Sequence, residues 1–266
     1  MLVSIIIPSY KQEHTIRADI ARILATMQNT RFEFEILVVV DGFLDRTFEE
    51  ASKEASDKVK VLGYPTNRGK GFAIRYGMSK AKGDMIAFID AGMEIDPNGI
   101  SMILEHMLWY KADIIVGSKR HPASIVSYPF FRRIYSWGYS LICKILFRLK
   151  VTDTQAGLKV YRKEVLDKVL PRLVVKAYGF DIELLAVSKY LGFTRIYEAP
   201  ITVSLDFNTG GKLSSIFNKQ IQDILYDTLA VFYRMYILGY YKDSALRKTV
   251  FDKELNMPIN TGELEK

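Results

Sequence analysis

The sequence predicts an α/β fold, a mostly parallel sheet with flanking helices and further amphipathic helices at its C-terminal side. Two observations carry that prediction. Short apolar, β-branched runs occur at 2–7, 35–40, 59–62, 85–90 and 113–117, and segments of helical period such as Ile16, Ile20, Ile23, Leu24 and Met27 lie between them. Strands recurring roughly every 25 residues with helices between are the pattern of βαβ units. A third observation places the function. The first, second, fourth and fifth runs all end in polar or charged residues, and open parallel sheets bind ligands beyond their C-terminal strand ends.

The first run, L-V-S-I-I-I-P, has no basic region before it and is too short for a signal peptide, so it reads as a strand, ending in P-S-Y-K-Q-E (Pro8 to Glu13). The second ends in D-G-F-L-D (Asp41 to Asp45) and the fifth in G-S-K-R (Gly117 to Arg120). The fourth is M-I-A-F-I-D-A-G-M-E-I-D, Met85 to Asp96, where an apolar run meets three acids. Acids clustered at a buried strand end are costly unless a cation sits there.

Past residue 120 the rhythm changes. Residues 127–149 form a long amphipathic segment with Tyr128, Phe130, Phe131, Tyr135, Trp137, Tyr139 and Phe147. A strand at 157–161, a helix at 180–191, a strand at 194–203 and a helix at 213–239 follow. The last helix carries Asp223, Asp227 and Arg234, which argues against a bilayer span. It fits either a membrane interface or packing against the core or a second subunit. The organisation read from this is a main domain over 1–211, an amphipathic helix over 212–241 and a polar, loosely held tail over 242–266.

At 266 residues and 49% apolar the chain can bury a full core. Its single cysteine, Cys143, excludes a disulfide framework and favours a reducing compartment. The net charge is +7, and between Lys111 and Lys150 eight Lys/Arg face one acid, Asp113. A basic surface of that kind seeks phosphates, nucleic acid or anionic lipid.

The motifs narrow the chemistry. N-R-G-K-G (Asn67 to Gly71) precedes a helix, where glycines allow close backbone approach and the helix start with Arg68 and Lys70 attracts an anion. It is not a P-loop, and no G-x-G-x-x-G follows the first strand. His14, His106 and His121 are scattered, so no zinc site is expected. Asp90 and Glu94, four apart across a glycine turn, could share one Mg²⁺ or Mn²⁺ bridging a diphosphate, since these hard cations take carboxylates and substrate phosphates.

Seven blocks then appear together and in order: V-S-I-I-I-P-S-Y, V-V-V-D-G-F-L-D-R-T, N-R-G-K-G-F-A-I-R-Y-G-M, G-D-M-I-A-F-I-D-A-G, G-S-K-R, D-T-Q-A-G-L-K-V-Y and F-D-I-E-L-L. In this the chain resembles the family 2 inverting glycosyltransferases, and within them the polyprenyl-phosphate sugar transferases, such as dolichyl-phosphate glucosyltransferases and mannose synthases. The resemblance covers roughly residues 2–215. It implies a GT-A fold and a nucleotide-sugar donor, UDP-glucose favoured over GDP-mannose. The donor-site candidates are Pro8, Tyr10, Gln12, Asp41, Lys70, Asp90 and Ala91, of which Pro8, Tyr10, Asp41, Lys70 and Asp90 match the family's motifs, and Asp90 with Glu94 is the candidate site for Mg²⁺ or Mn²⁺. Asp153 matches the candidate base, Arg132 an arginine at the acceptor phosphate and Lys212 a lysine in a loop over the site; Lys119 and Arg120 are further candidates for the acceptor phosphate.

The departures are Lys11-Gln12 for the family's N-E, Val40 for the first acid of D-D-G-S, Lys119 for an arginine, and Gly92 for the second acid of D-x-D. Glu94, two residues on, supplies the charge that Gly92 lacks. The expected activity is hexose transfer with inversion from a nucleotide-diphosphate sugar to a dolichyl or undecaprenyl phosphate, at the cytoplasmic face of a membrane, with peripheral contact or an anchoring partner and no nucleic acid. The competing readings are a nucleotide-sugar-binding protein without turnover, suggested by the missing acids, and a transferase acting on a soluble or glycan acceptor.

Overall fold

The computed structural model describes residues 1–126, 130–203, 213–242 and 247–264. In chain order its first half runs β1 (Leu2–Ser9), α1 (Ile16–Gln28), β2 (Glu33–Asp41), α2 (Thr47–Ser52), β3 (Val59–Tyr64), α3 (Lys70–Lys80), β4 (Met85–Ile89), α4 (Gly99–Trp109) and β5 (Ile114–Ser118). The second half runs β6 (Ile125–Val126), α5 (Phe130–Phe147), β7 (Leu158–Arg162), α6 (Lys163–Val169), α7 (Phe180–Tyr190), β8 (Ile196–Pro200), β9 (Thr202–Val203), α8 (Leu213–Phe232), β10 (Arg247–Asp252) and β11 (Met257–Leu264).

The central sheet has the order β3-β2-β1-β4-β7-β5-β8. All its pairings are parallel except those of β7, which runs antiparallel to both β4 and β5. The strands are apolar at nearly every position because both faces are covered. Ile5, Ile7, Ile36 and Val38 pack with α1 and α4 residues such as Ile20, Ile23 and Ile103. Ile6, Leu37, Val39 and Phe88 face the other way, onto Phe72 of α3 and Ile182 and Leu185 of α7. Each such side chain contributes about 1.5–3 kcal/mol on full burial.

The C-terminal elements differ from expectation in two places. The strand expected over 194–203 is interrupted at Ile201, and its last two residues pair with β6 rather than with the main sheet. The expected loose tail is instead an antiparallel hairpin, β10–β11. Its turn is docked: Leu255 is buried, Asp252 Oδ1 accepts from the N–H groups of Glu254 and Leu255, and Glu254 pairs with Arg68. Buried Leu255, the partly buried Met257 and Ile259, and a carboxylate-capped turn hold a segment whose composition is polar.

α8 continues into a π-helical turn at Tyr233–Ile237. One side of this helical segment packs inward through Thr228, Val231 and Met235, and Tyr139 of α5 shares a 2.9 Å hydrogen bond with Thr228. The other side leaves Tyr226, Leu229, Tyr233 and Ile237 exposed, and α5 likewise exposes Trp137, Leu141 and Ile145. Among the described residues no helix is long and apolar enough to cross a membrane.

Candidate active site

The ends of β1, β2 and β4 open into a cavity of about 460 Å³, within the range of small-molecule sites. All seven donor-site candidates line it: Pro8, Tyr10, Gln12, Asp41, Lys70, Asp90 and Ala91. Ser9, Asn67, Gly69, Ala73, Ala177 and Tyr178 complete the wall. Sequence reasoning passed over Ala177 and Tyr178, because they come from the loop before α7 and no strand end points to them.

Asp41 builds one side of the cavity. Its buried carboxylate accepts from Asn67 Nδ2 (2.9 Å), Arg68 N (2.7 Å) and Gly69 N (3.0 Å), which fixes the N-R-G-K-G loop at the start of α3. The glycines of this loop make their closest approach to the protein itself. A Cβ on Gly71 would lie 2.4 Å from Phe180 Cβ, and Phe72 N–H donates to Lys176 O (3.1 Å). The loop is thereby sandwiched between Asp41 and the 176–180 segment, with Lys70 left facing the cavity.

Lys70 Nζ donates to Asp90 Oδ2 at 2.7 Å and lies 4.0 Å from Asp181 Oδ2. Burial alone would lower the lysine pKa, but the two carboxylates outweigh it and hold the ammonium above its usual value. Asp181 in turn binds Lys159, a fully buried lysine of β7 that also donates to Ala156 O (2.6 Å). Burial pulls the Lys159 pKa down against the attraction of Asp181. Neither Lys159 nor Asp181 was singled out by sequence. The available signal was a lone lysine inside the strand G-L-K-V-Y and a lone aspartate opening an apolar helix, since buried charges must be paired.

Asp90 Oδ1 is buried with no hydrogen-bond partner. An orphaned carboxylate oxygen at a cavity wall suits a hard cation, which takes one or two carboxylates and fills its remaining positions with phosphate and water. Gly157 gives Asp90 its room: Asp90 N–H donates to Gly157 O (2.9 Å), and a Cβ on Gly157 would stand 2.3 Å from Asp90 Oδ2. Among the described residues no three Asp, Glu, His or Cys side chains gather as a metal cage. Glu94 is exposed and does not line the cavity. Gly92, where the second acid of D-x-D would stand, has φ +90°, a conformation that strains any other side chain, and its N–H donates to the buried Asp19 Oδ2 (2.8 Å).

A second polar cluster lies at the end of β5. Asp153 is buried, accepts from Lys119 N (3.0 Å), and has Lys119 Nζ at 3.7 Å. Glu198 of β8 holds the same loop through the N–H groups of Thr152 and Asp153 (2.7 and 3.0 Å). Arg120 donates to Ser136 Oγ of α5 (2.7 Å). Lys119, Arg120 and Asp153 are therefore brought together, outside the donor cavity. Arg132 lies on α5 but its side chain is outside the described residues, and so is Lys212.

A cavity over the strand ends of a 3-2-1-4 sheet, with a lysine and an aspartate in its wall, is the arrangement of a GT-A fold. The chain belongs to glycosyl transferase family 2, whose family model matches residues 4–170. It is 30% identical over 204 residues to a dolichyl-phosphate beta-glucosyltransferase of Drosophila melanogaster, a match covering 71% of this chain and 63% of that protein. It is 31% identical over 210 residues to an undecaprenyl-phosphate mannosyltransferase of Micrococcus luteus, covering 76% of this chain and 83% of that one. In fold it is similar to glucosyl-3-phosphoglycerate synthase from Mycobacterium tuberculosis in complex with uridine diphosphate, with a TM-score of 0.67 at 17% identity over 94% of this chain and 84% of that one.

Proposed function

We propose that the protein transfers a hexose from a nucleotide-diphosphate sugar, UDP-glucose in preference to GDP-mannose, to a polyprenyl phosphate with inversion. The observation that carries this reading is the Lys70–Asp90 pair in the wall of a cavity lined by all seven donor-site candidates. The names of the two sequence relatives support the acceptor class.

In the proposed reaction an acceptor phosphate oxygen forms a bond to the anomeric carbon from the face opposite the nucleotide. The bond from that carbon to the diphosphate breaks, and the diphosphate leaves with the electron pair. A phosphate monoester has its second pKa at about 6, so it is already largely anionic at neutral pH. Asp153, held by Lys119 and Glu198, then orients the acceptor more than it deprotonates it. Lys70 neutralises the leaving diphosphate. Lys119, Arg120, Arg132 and Lys212 receive the acceptor phosphate, with the arginines offering a planar fork that lysine lacks. A divalent cation, Mg²⁺ or Mn²⁺, when bound would supply positive charge to the diphosphate, with Asp90 as its carboxylate; Glu94, exposed and outside the cavity, does not fit that role. Labelled nucleotide sugars assayed as a panel, with polyprenyl phosphate and with soluble phosphorylated acceptors, test the reading. Transfer to the soluble acceptors alone would sink it, and so would nucleotide binding with no transfer.

Two expected results follow from particular residues. Glu94→Ala leaves Mn²⁺-dependent nucleotide binding near wild type, measured by titration with and without EDTA, because Glu94 is exposed and outside the cavity. A clear loss of the Mn²⁺-dependent affinity would restore Glu94 as a second carboxylate beside Asp90. The second concerns the exposed Trp137, Leu141 and Ile145 on α5 and Tyr226, Leu229, Tyr233 and Ile237 on α8 and its π turn. We place these faces on the cytoplasmic surface of a membrane, beside the basic 111–150 region. Co-sedimentation with anionic liposomes is expected at low salt and falls as salt rises, since attraction is screened beyond about 8 Å at physiological ionic strength. Protein left wholly in the supernatant at low salt would point to a separate anchoring partner.

A further inference from the structure

Lys159 is fully buried on β7, opposite Phe88 of β4, and its ammonium is held by Asp181 and Ala156 O. Asp181 sits in the first turn of α7 and is buried in turn. Its second oxygen lies 4.0 Å from Lys70 Nζ, and Lys70 Nζ lies 2.7 Å from Asp90 Oδ2. Four groups of alternating sign thus lead from the core to the cavity wall, and their formal charges cancel.

Stability does not account for this arrangement. Packed apolar side chains of similar volume serve a core as well as a buried lysine–carboxylate pair, or better. The spacing does suggest a use. At 4.0 Å Asp181 is beyond hydrogen-bond reach of Lys70, yet close enough that a small swing of the flexible lysine stem exchanges one carboxylate for the other. Asp90 meanwhile has one oxygen on Lys70 and one buried oxygen with nothing on it. A divalent cation reaching that free oxygen would share a single carboxylate with an ammonium. A diphosphate changes the balance, because its oxygens give Lys70 a new partner.

We propose that Lys70 closes Asp90 to a divalent cation until a nucleotide diphosphate draws the ammonium away, and that Asp181, held in place by Lys159, is the carboxylate that keeps Lys70 when Asp90 is released. This rests on the donor reading above and adds an order to it. Cation and nucleotide bind as a linked pair, and neither binds well alone. Asp181 and Lys159 are positioning residues acting through Lys70.

The test is Mn²⁺ binding to the full chain, followed by the paramagnetic resonance signal of the free ion, with and without UDP. In the wild type, UDP tightens Mn²⁺ binding about tenfold or more, and Mn²⁺ tightens UDP by the same factor because binding linkage is reciprocal. Lys70→Gln binds Mn²⁺ alone about tenfold more tightly than the wild type does, and UDP then adds little. Lys70→Arg keeps the charge, so Mn²⁺ alone binds as weakly as it does to the wild type. Asp181→Asn leaves Mn²⁺ alone as weak as in the wild type but loses most of the coupling to UDP. Equal Mn²⁺ affinity of Lys70→Gln and wild type in the absence of UDP overturns the inference, as does wild-type Mn²⁺ binding indifferent to UDP. Should UDP fail to bind the wild type under any condition, the donor reading itself falls, and this inference with it.

Discussion

Replacing Asp90 with asparagine is expected to lower hexose transfer by about 10²–10³-fold, the usual cost of losing one preorganised electrostatic group at a developing charge. The change is nearly isosteric, so the Gly157 contact that frames the side chain survives it. What changes is the charge. The amide can offer its oxygen to Lys70, but its NH₂ then occupies the place of the unpartnered Oδ1, where a donor repels any cation. The informative comparison is Asp96→Asn. Asp96 lies in the same acidic stretch, but its Oδ1 accepts from Asn98 N–H (2.9 Å) at the start of α4, and it does not line the cavity. Its substitution is expected to stay within about 0.5 kcal/mol in stability, as for surface changes, and to leave transfer near wild type. Steady-state rates at saturating Mn²⁺ and donor measure both. Equal losses in the two variants would mean that the stretch matters through its overall charge and not through Asp90.

What was legible in the sequence divides along physical lines. The sheet could be read because its strands are buried on both faces, so each appears as an unbroken apolar run, and the residue after each run is forced to the ligand-binding edge. That rule marked the stretches after the strands, the family resemblance picked Pro8, Tyr10, Asp41 and Asp90 out of them, and all four line the cavity. Direction is another matter. An apolar run such as L-K-V-Y-R carries no mark of which way it runs, so the antiparallel β7 could not be told from its parallel neighbours. The β10–β11 hairpin was hidden because its docking depends on Leu255 and a few polar contacts, among them Glu254 with Arg68, 186 residues apart in sequence. Glu94 shows the reverse error. It is adjacent to the site in sequence, but the turn through Gly92 (φ +90°) and Met93 (φ 49°) leaves it exposed and outside the lining. Lys159 and Asp181 escaped because nothing in a sequence pairs a strand residue with a helix residue 22 positions on.

That buried pair gives the second large effect. Lys159→Met removes the near partner of Asp181 and leaves a carboxylate in the core with Lys70 at 4.0 Å as its remaining cation. Breaking a buried pair by removing one member costs about 3–5 kcal/mol, which for a chain of this size is a drop in Tm of about 10 °C. The double change Lys159→Met with Asp181→Leu removes both charges and fills the space with apolar atoms, so most of that stability should return. Transfer should not return with it. With Asp181 gone, Lys70 has only Asp90 to hold it, and any diphosphate or cation must break that 2.7 Å contact with no second carboxylate nearby. Thermal melts and kinetics on the two variants separate the roles. A double variant with both wild-type stability and wild-type transfer would make the pair a packing feature with no part in the site. A single variant as stable as the wild type would show that Lys159 does not neutralise Asp181 in the folded protein.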